Sequence, residues 1–168
     1  ASNGTPGDIT VNSGGSIIVS DVGPAVTVNS NNNLTNNGVI QSSAVSGATA
    51  VLVSSSTPLS TTINNTSTIG ISGSGGSGNY GIRVTGAGIN GSITSSSAST
   101  LSVLGDNSYG LSVEAPVHGN ISVNSFSVSG TNSIGVSITA PVTGNVTMTG
   151  TSGSSGANGT GVLIAALQ

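Results

Sequence analysis

The chain has no cysteine, no tryptophan and one basic residue, Arg83, and aromatic side chains make up only 2% of its 168 residues. Charged residues make up 3%, against about a quarter in typical domains. A single cation cannot neutralise a phosphate backbone, so nucleic acid is excluded as a partner. No long apolar run or basic amphipathic stretch is present, and direct membrane insertion is not expected. The lack of cysteine fits a protein exported unfolded across a bacterial envelope, although many cytosolic proteins share it. The chain starts at Ala1, without Met or a hydrophobic leader. Either a signal peptide has been removed or the sequence begins inside a longer protein.

What the chain does contain is glycine (27 residues), serine, threonine and asparagine, with Val and Ile threaded regularly between them. Disorder normally accompanies high charge and few β-branched aliphatics, so this regularity points to order. One column of aliphatics, Ile9, Leu34, Ile63, Ile93, Ile121 and Val146, recurs at separations of 25, 29, 30, 28 and 25. A second, Val26, Val51, Ile82, Leu111, Val136 and Val162, recurs at 25, 31, 29, 25 and 26. Two residues after each of these stand Val28, Val53, Val84, Val113, Ile138 and Ile164, on the same side of a short strand. Leu59, Ile89, Val117 and Val142 recur on the approach to the first column. A third strand is sketched by Ile17/Val19, Ile69/Ile71, Leu101/Val103 and Phe126/Val128, at a variable distance of five to eight residues from the first column.

Repeats of about 27 residues with three short strands bury their aliphatics only by stacking on one another. The expected fold is all-β: a right-handed parallel β-helix, or solenoid, of about six coils with three strands each. Its hand follows the general rule for parallel crossovers. Residues 1–168 read as one such solenoid. Longer, aromatic-rich propeller repeats and the L-x-x-L-x-L spacing of leucine-rich repeats do not fit.

Positions flanking the first column point outward. Thr10, Thr35, Asn64, Thr94, Ser122 and Thr147 follow it; Asp8, Asn33, Thr62, Ser92, Asn120 and Asn145 precede it. Stacked Thr and Asn predict ladders of side-chain hydrogen bonds between coils. These ladders stabilise the solenoid. An alternative is a flat Thr/Asn face that orders water, as in ice-binding solenoids, although variable coil lengths count against it.

No catalytic, cofactor-binding or metal-binding residues are assigned. Asp21 and Asp106 occupy equivalent corners, where Asp is expected to cap its own turn. Arg83 and Glu114, one coil apart and one position out of register, suit an exposed pair worth at most ~1 kcal/mol. His118 shares a corner column with Asn90 and Thr143 and lacks the neighbours a metal site needs. The Gly73–Gly78 stretch lacks the Asp of calcium-binding glycine-rich repeats. A polysaccharide-degrading β-helix enzyme would need clustered carboxylates, and four scattered ones do not supply them. Sequons at Asn33, Asn120 and Asn145 are expected by chance in this composition.

The phrases Asn33-Leu34-Thr35-Asn36-Asn37-Gly38-Val39-Ile40, Asp106-Asn107-Ser108-Tyr109-Gly110-Leu111 and Gly144-Asn145-Val146-Thr147 resemble repeats of autotransporter passenger domains. Those are secreted β-solenoids of Gram-negative bacteria, normally followed by an outer-membrane barrel. The resemblance covers essentially the whole chain and implies display at the bacterial cell surface, with adhesion or self-association. It transfers no catalytic residue. Neither end shows a charged or helical cap, so the chain is expected to be a fragment of a longer rod or a filament subunit stacking end to end. The expected function is a non-catalytic extracellular structural or adhesive module. Its expected partners are like chains and carbohydrate, met through weak multivalent contacts.

Overall fold

A computed structural model of the chain describes residues 7–74 and 76–166. Its first coil consists of β1 (Ile9–Val11), β2 (Ser16–Val19) and β3 (Val26–Val28), and its second of β4 (Leu34–Asn36), β5 (Val39–Ser42) and β6 (Thr49–Ser55). The third holds β7 (Ile63–Asn65), β8 (Thr68–Ile71) and β9 (Tyr80–Gly86); the fourth holds β10 (Ile93–Ser95), β11 (Thr100–Leu104) and β12 (Tyr109–Val113). The fifth is β13 (Ile121–Val123), β14 (Phe126–Ser129) and β15 (Ile134–Ile138), and the sixth β16 (Val146–Met148), β17 (Gly153–Ser155) and β18 (Thr160–Ile164). Equivalent strands pair in parallel to give three six-stranded sheets, β1-β4-β7-β10-β13-β16, β2-β5-β8-β11-β14-β17 and β3-β6-β9-β12-β15-β18. The chain is a parallel β-solenoid.

The register follows the two aliphatic columns. Ile9, Leu34, Ile63, Ile93, Ile121 and Val146 are successive partners in the first sheet. Val26, Val51, Ile82, Leu111, Val136 and Val162 are successive partners in the third. Leu59, Ile89, Val117 and Val142 join as single bridges between coils. The second sheet continues through two stretches that carry little aliphatic signal, β5 with Ile40 and Ser42 and β17 with Gly153-Ser154-Ser155. Side chains from three sheets meet in a narrow interior, so β-branched and other mid-sized aliphatics fill it. Ile63, Ile69, Ile82, Leu111 and Ile121 are all buried. Burying each such side chain contributes roughly 1.5–3 kcal/mol.

In β9, β12 and β15 of the third sheet one position has little room for a side chain. Gly81, Gly110 and Gly135 sit one residue before the aliphatic column, with their missing Cβ aimed into the core. A Cβ at Gly81 would lie 3.2 Å from Val103 Cγ2, and one at Gly110 would lie 3.2 Å from Val128 Cγ2. At Gly135 it would run into the ring of Phe126. The pattern aromatic or aliphatic, Gly, aliphatic at the start of β9, β12 and β15 therefore marks where the second and third sheets approach closely.

The corner leading into the third sheet requires a left-handed backbone in five coils. Gly47 (φ 68°), Gly78 (φ 69°), Asn107 (φ 49°), Asn132 (φ 56°) and Asn158 (φ 57°) occupy it. Each of the first four donates its backbone N–H to the carbonyl of the residue before its successor. Glycine has no Cβ to clash there, and asparagine tolerates the conformation better than other residues.

Polar side chains also lie inside the coils, at positions that sequence reading did not assign. Asn36 and Asn65 are register partners and fully buried. Asn36 Nδ2 donates to Asn65 Oδ1 at 2.8 Å and to the Thr68 carbonyl at 2.9 Å, while Asn36 Oδ1 accepts the Gly38 N–H. A second inner ladder runs through Asn79, Ser108 and Ser133, again fully buried. Asn79 Nδ2 donates to the carbonyls of Val45 (2.9 Å) and Leu104 (2.8 Å), and its Oδ1 accepts the Ala48 N–H at 3.0 Å. The N–H groups of Asn79 and Ser108 donate to Ser108 Oγ and Ser133 Oγ. These side chains satisfy the backbone groups that the tight corners leave without a strand partner.

Candidate functional site

The outer face of the first sheet carries the polar columns. Thr10, Thr35, Asn64, Thr94, Ser122 and Thr147 stand in register from coil to coil. Within this column Thr94 Oγ1 donates to Asn64 Oδ1 at 3.3 Å. The column before it is bonded differently, from side chain to backbone of the next coil. Asp8 Oδ1 accepts the Asn33 N–H at 2.8 Å, and Asn33 Oδ1 accepts the Thr62 N–H at 2.9 Å. Ser92 Oγ accepts the Asn120 N–H at 3.0 Å, and Asn120 Oδ1 accepts the Asn145 N–H at 2.9 Å. Each side chain thus takes the place of a missing strand acceptor one coil further on.

The four carboxylates are all engaged in local structure. Asp8 also accepts from Asn33 Nδ2, and the bonds from Asn33 hold its carboxyl below the usual carboxylate range, the backbone bond contributing most. Asp21 Oδ1 accepts the adjacent Val22 N–H at 2.7 Å. Asp106, expected to cap its own turn, instead accepts the Thr131 N–H of the following coil at 2.6 Å. The left-handed Asn107 and Asn132 bring the Asp106 and Thr131 corners directly over one another, so the reach across coils is the shorter one. Among the described residues no three His, Cys, Asp or Glu side chains cluster as metal ligands. His118 is an exposed corner residue.

The most elaborate arrangement lies on the third sheet, where the third and fourth coils meet. Arg83 forms a two-pronged ion pair with Glu114, Nε to Oε1 at 2.8 Å and Nη2 to Oε2 at 2.9 Å. Ser112, the register partner of Arg83, donates its hydroxyl to Glu114 Oε1 at 2.8 Å. The guanidinium lies over the Tyr80 ring, 4.4 Å from its centroid. Tyr80 in turn stacks on Tyr109, with ring centroids 5.1 Å apart and planes within 8° of parallel. Hydrogen bonding to Arg83 holds the Glu114 carboxyl below its ordinary value, partly opposed by burial. The same bond raises Arg83, and burial raises the Tyr80 phenol. The ion pair follows from spacing, and the tyrosine stack from register: both rings stand two residues before members of the second aliphatic column.

Two further surfaces complete the picture. A shallow cleft beside the Asn29–Asn32 run is lined by amides, hydroxyls and Leu59, with no charged group. At the last coil, Val162 and Ile164 are 42% and 53% exposed, whereas their register partners Val136 and Ile138 are fully buried. β1, β2 and β3 at one end and β16, β17 and β18 at the other are edge strands of their sheets. No described helix is long and apolar enough to cross a membrane. Comparison with protein families, with curated proteins and with solved structures finds no match for this chain.

Proposed function

We propose that this chain is a non-catalytic, extracellular structural and adhesive rod segment, displayed on a Gram-negative surface in the manner of the autotransporter passengers its repeats resemble. Its last coil stacks against another coil, and its Ser/Thr/Asn faces make weak, repeated contacts with carbohydrate or like chains. The observation that carries this reading is the exposure of Val162 and Ile164, positions that every earlier coil buries beneath its successor. Among the described residues β16, β17 and β18 are the edge strands around that apolar surface, and sheet edges favour strand addition. The engagement of all four carboxylates in turns, ladders and an ion pair supports a scaffold over a hydrolase. Uncharged amides and hydroxyls in the Asn29–Asn32 cleft suit a neutral, hydroxyl-rich ligand.

Sedimentation velocity over a concentration series tests the stacking. Wild-type protein is expected to form larger species as concentration rises, and a Val162→Asp, Ile164→Asp double variant to remain the smallest species. Identical, concentration-independent sedimentation of both proteins would overturn the reading.

A further inference from the structure

We propose that Tyr80 and Tyr109 are an oxidative coupling site, joined into a dityrosine by a haem-peroxidase-type oxidant using hydrogen peroxide. The product is a covalent staple between the third and fourth coils of a rod that has no cysteine with which to make one.

The geometry carries the inference. Tyr80 and Tyr109 are direct register partners on neighbouring parallel strands. Their rings are already stacked, 5.1 Å between centroids and 8° from parallel, and both are half-buried and reachable from solvent. Arg83 lies over Tyr80 and is tied through its two bonds to Glu114, in the coil that carries Tyr109, so the ion pair holds the two coils together beside the stack. They are the chain's two tyrosines, and no tryptophan or cysteine competes for an oxidant. Two phenoxyl radicals in solution must meet by diffusion; here the rings are already neighbours, and rotation about their side-chain bonds turns the two ortho edges together.

The reaction balances without any other group. Each phenol gives up one electron and one proton to the oxidant, leaving unpaired spin on the ring carbons ortho to oxygen. One ortho carbon of each ring forms the new C–C bond. Each of these carbons then loses its hydrogen as a proton, and each phenolic oxygen regains one. Two hydrogen atoms leave in total, and they reduce one hydrogen peroxide to two waters.

The test treats dilute folded protein with a plant peroxidase and hydrogen peroxide. It reads dityrosine fluorescence on a denaturing gel together with intact mass. The expected result is fluorescence in the monomer band, a mass lower by two hydrogen atoms, and one linked peptide containing both residues. Oxidation of Met148 adds an oxygen instead and is separated by mass. Tyr80→Phe and Tyr109→Phe, which keep a stacked ring pair and an unchanged β-type circular dichroism spectrum, are each expected to lose monomer fluorescence to background. Fluorescence confined to covalent dimers, or persisting in the Tyr80→Phe monomer, would overturn the proposal. So would an absence of coupling while free tyrosine in the same mixture is consumed.

Discussion

Phe126 and Gly135 face each other across the interior of the fifth coil, and the ring of one occupies the space where a side chain on the other would stand. The glycines at the same position of the two preceding coils instead meet a valine of the following coil, Val103 for Gly81 and Val128 for Gly110. The single phenylalanine of the chain is therefore accommodated by a glycine column that the strand pattern alone would have filled with a residue.

Gly135→Ala is expected to destabilise the fold by about 1–3 kcal/mol through overpacking. The loss should be partly recovered in a Gly135→Ala, Phe126→Leu double variant. Recovery should be incomplete because the added Cβ would still lie 2.5 Å from the Gly161 carbonyl. Urea titration of the four proteins of this cycle checks the coupling; strictly additive losses would contradict the contact.

Removing Asn79, the first member of the second inner ladder, should cost more than any surface change. Asn79→Ala leaves the Ala48 N–H and the Val45 and Leu104 carbonyls without their side-chain partner. Each buried group left unsatisfied costs about 1–3 kcal/mol, so a loss of several kcal/mol is expected. The outward-facing, half-buried Asn64→Ala, which gives up the Thr94 Oγ1 bond, serves as the contrast and should cost about 1 kcal/mol or less. Denaturant midpoints of the two variants decide the matter.

The ion pair predicts a specific pH dependence. The folded carboxyl of Glu114 is held below its ordinary value of 4.5. Its contribution is therefore fully present above that value and is lost as pH falls through the lower folded value. The stability difference between wild type and Glu114→Gln should be flat at neutral pH, shrink below about pH 4.5, and not exceed ~1 kcal/mol, because both partners are about a third exposed. Thermal unfolding of both proteins across that range measures it. A difference that grows as pH falls would contradict the sign.

The aliphatic columns were legible because Val, Ile and Leu recur where three sheets meet, and nothing else in the chain imitates them. The corners were not legible, because the same residue types serve inside and outside. Asn64 and Asn65 are neighbours, yet one faces solvent and the other is fully buried in a ladder with Asn36. Nothing in their chemistry distinguishes them; strand alternation does, since Asn65 stands two residues after the inward Ile63. β17 leaves no sequence signal, since its Gly153-Ser154-Ser155 strand is defined by hydrogen bonding to β14 and carries no aliphatic at all. The outward columns beside Ile9 through Val146 follow from alternation, and the Tyr80–Tyr109 stack follows from in-register pairing, each ring two residues before the second aliphatic column.

The central claim is that this solenoid works as a rod lengthened by stacking at its open coil. Negative-stain electron microscopy of the purified protein at high concentration tests it most directly. Six coils at ~4.8 Å each span about 29 Å. The account predicts rods several times longer than that, absent from the Val162→Asp, Ile164→Asp variant; a field of dispersed particles no longer than six coils would contradict it.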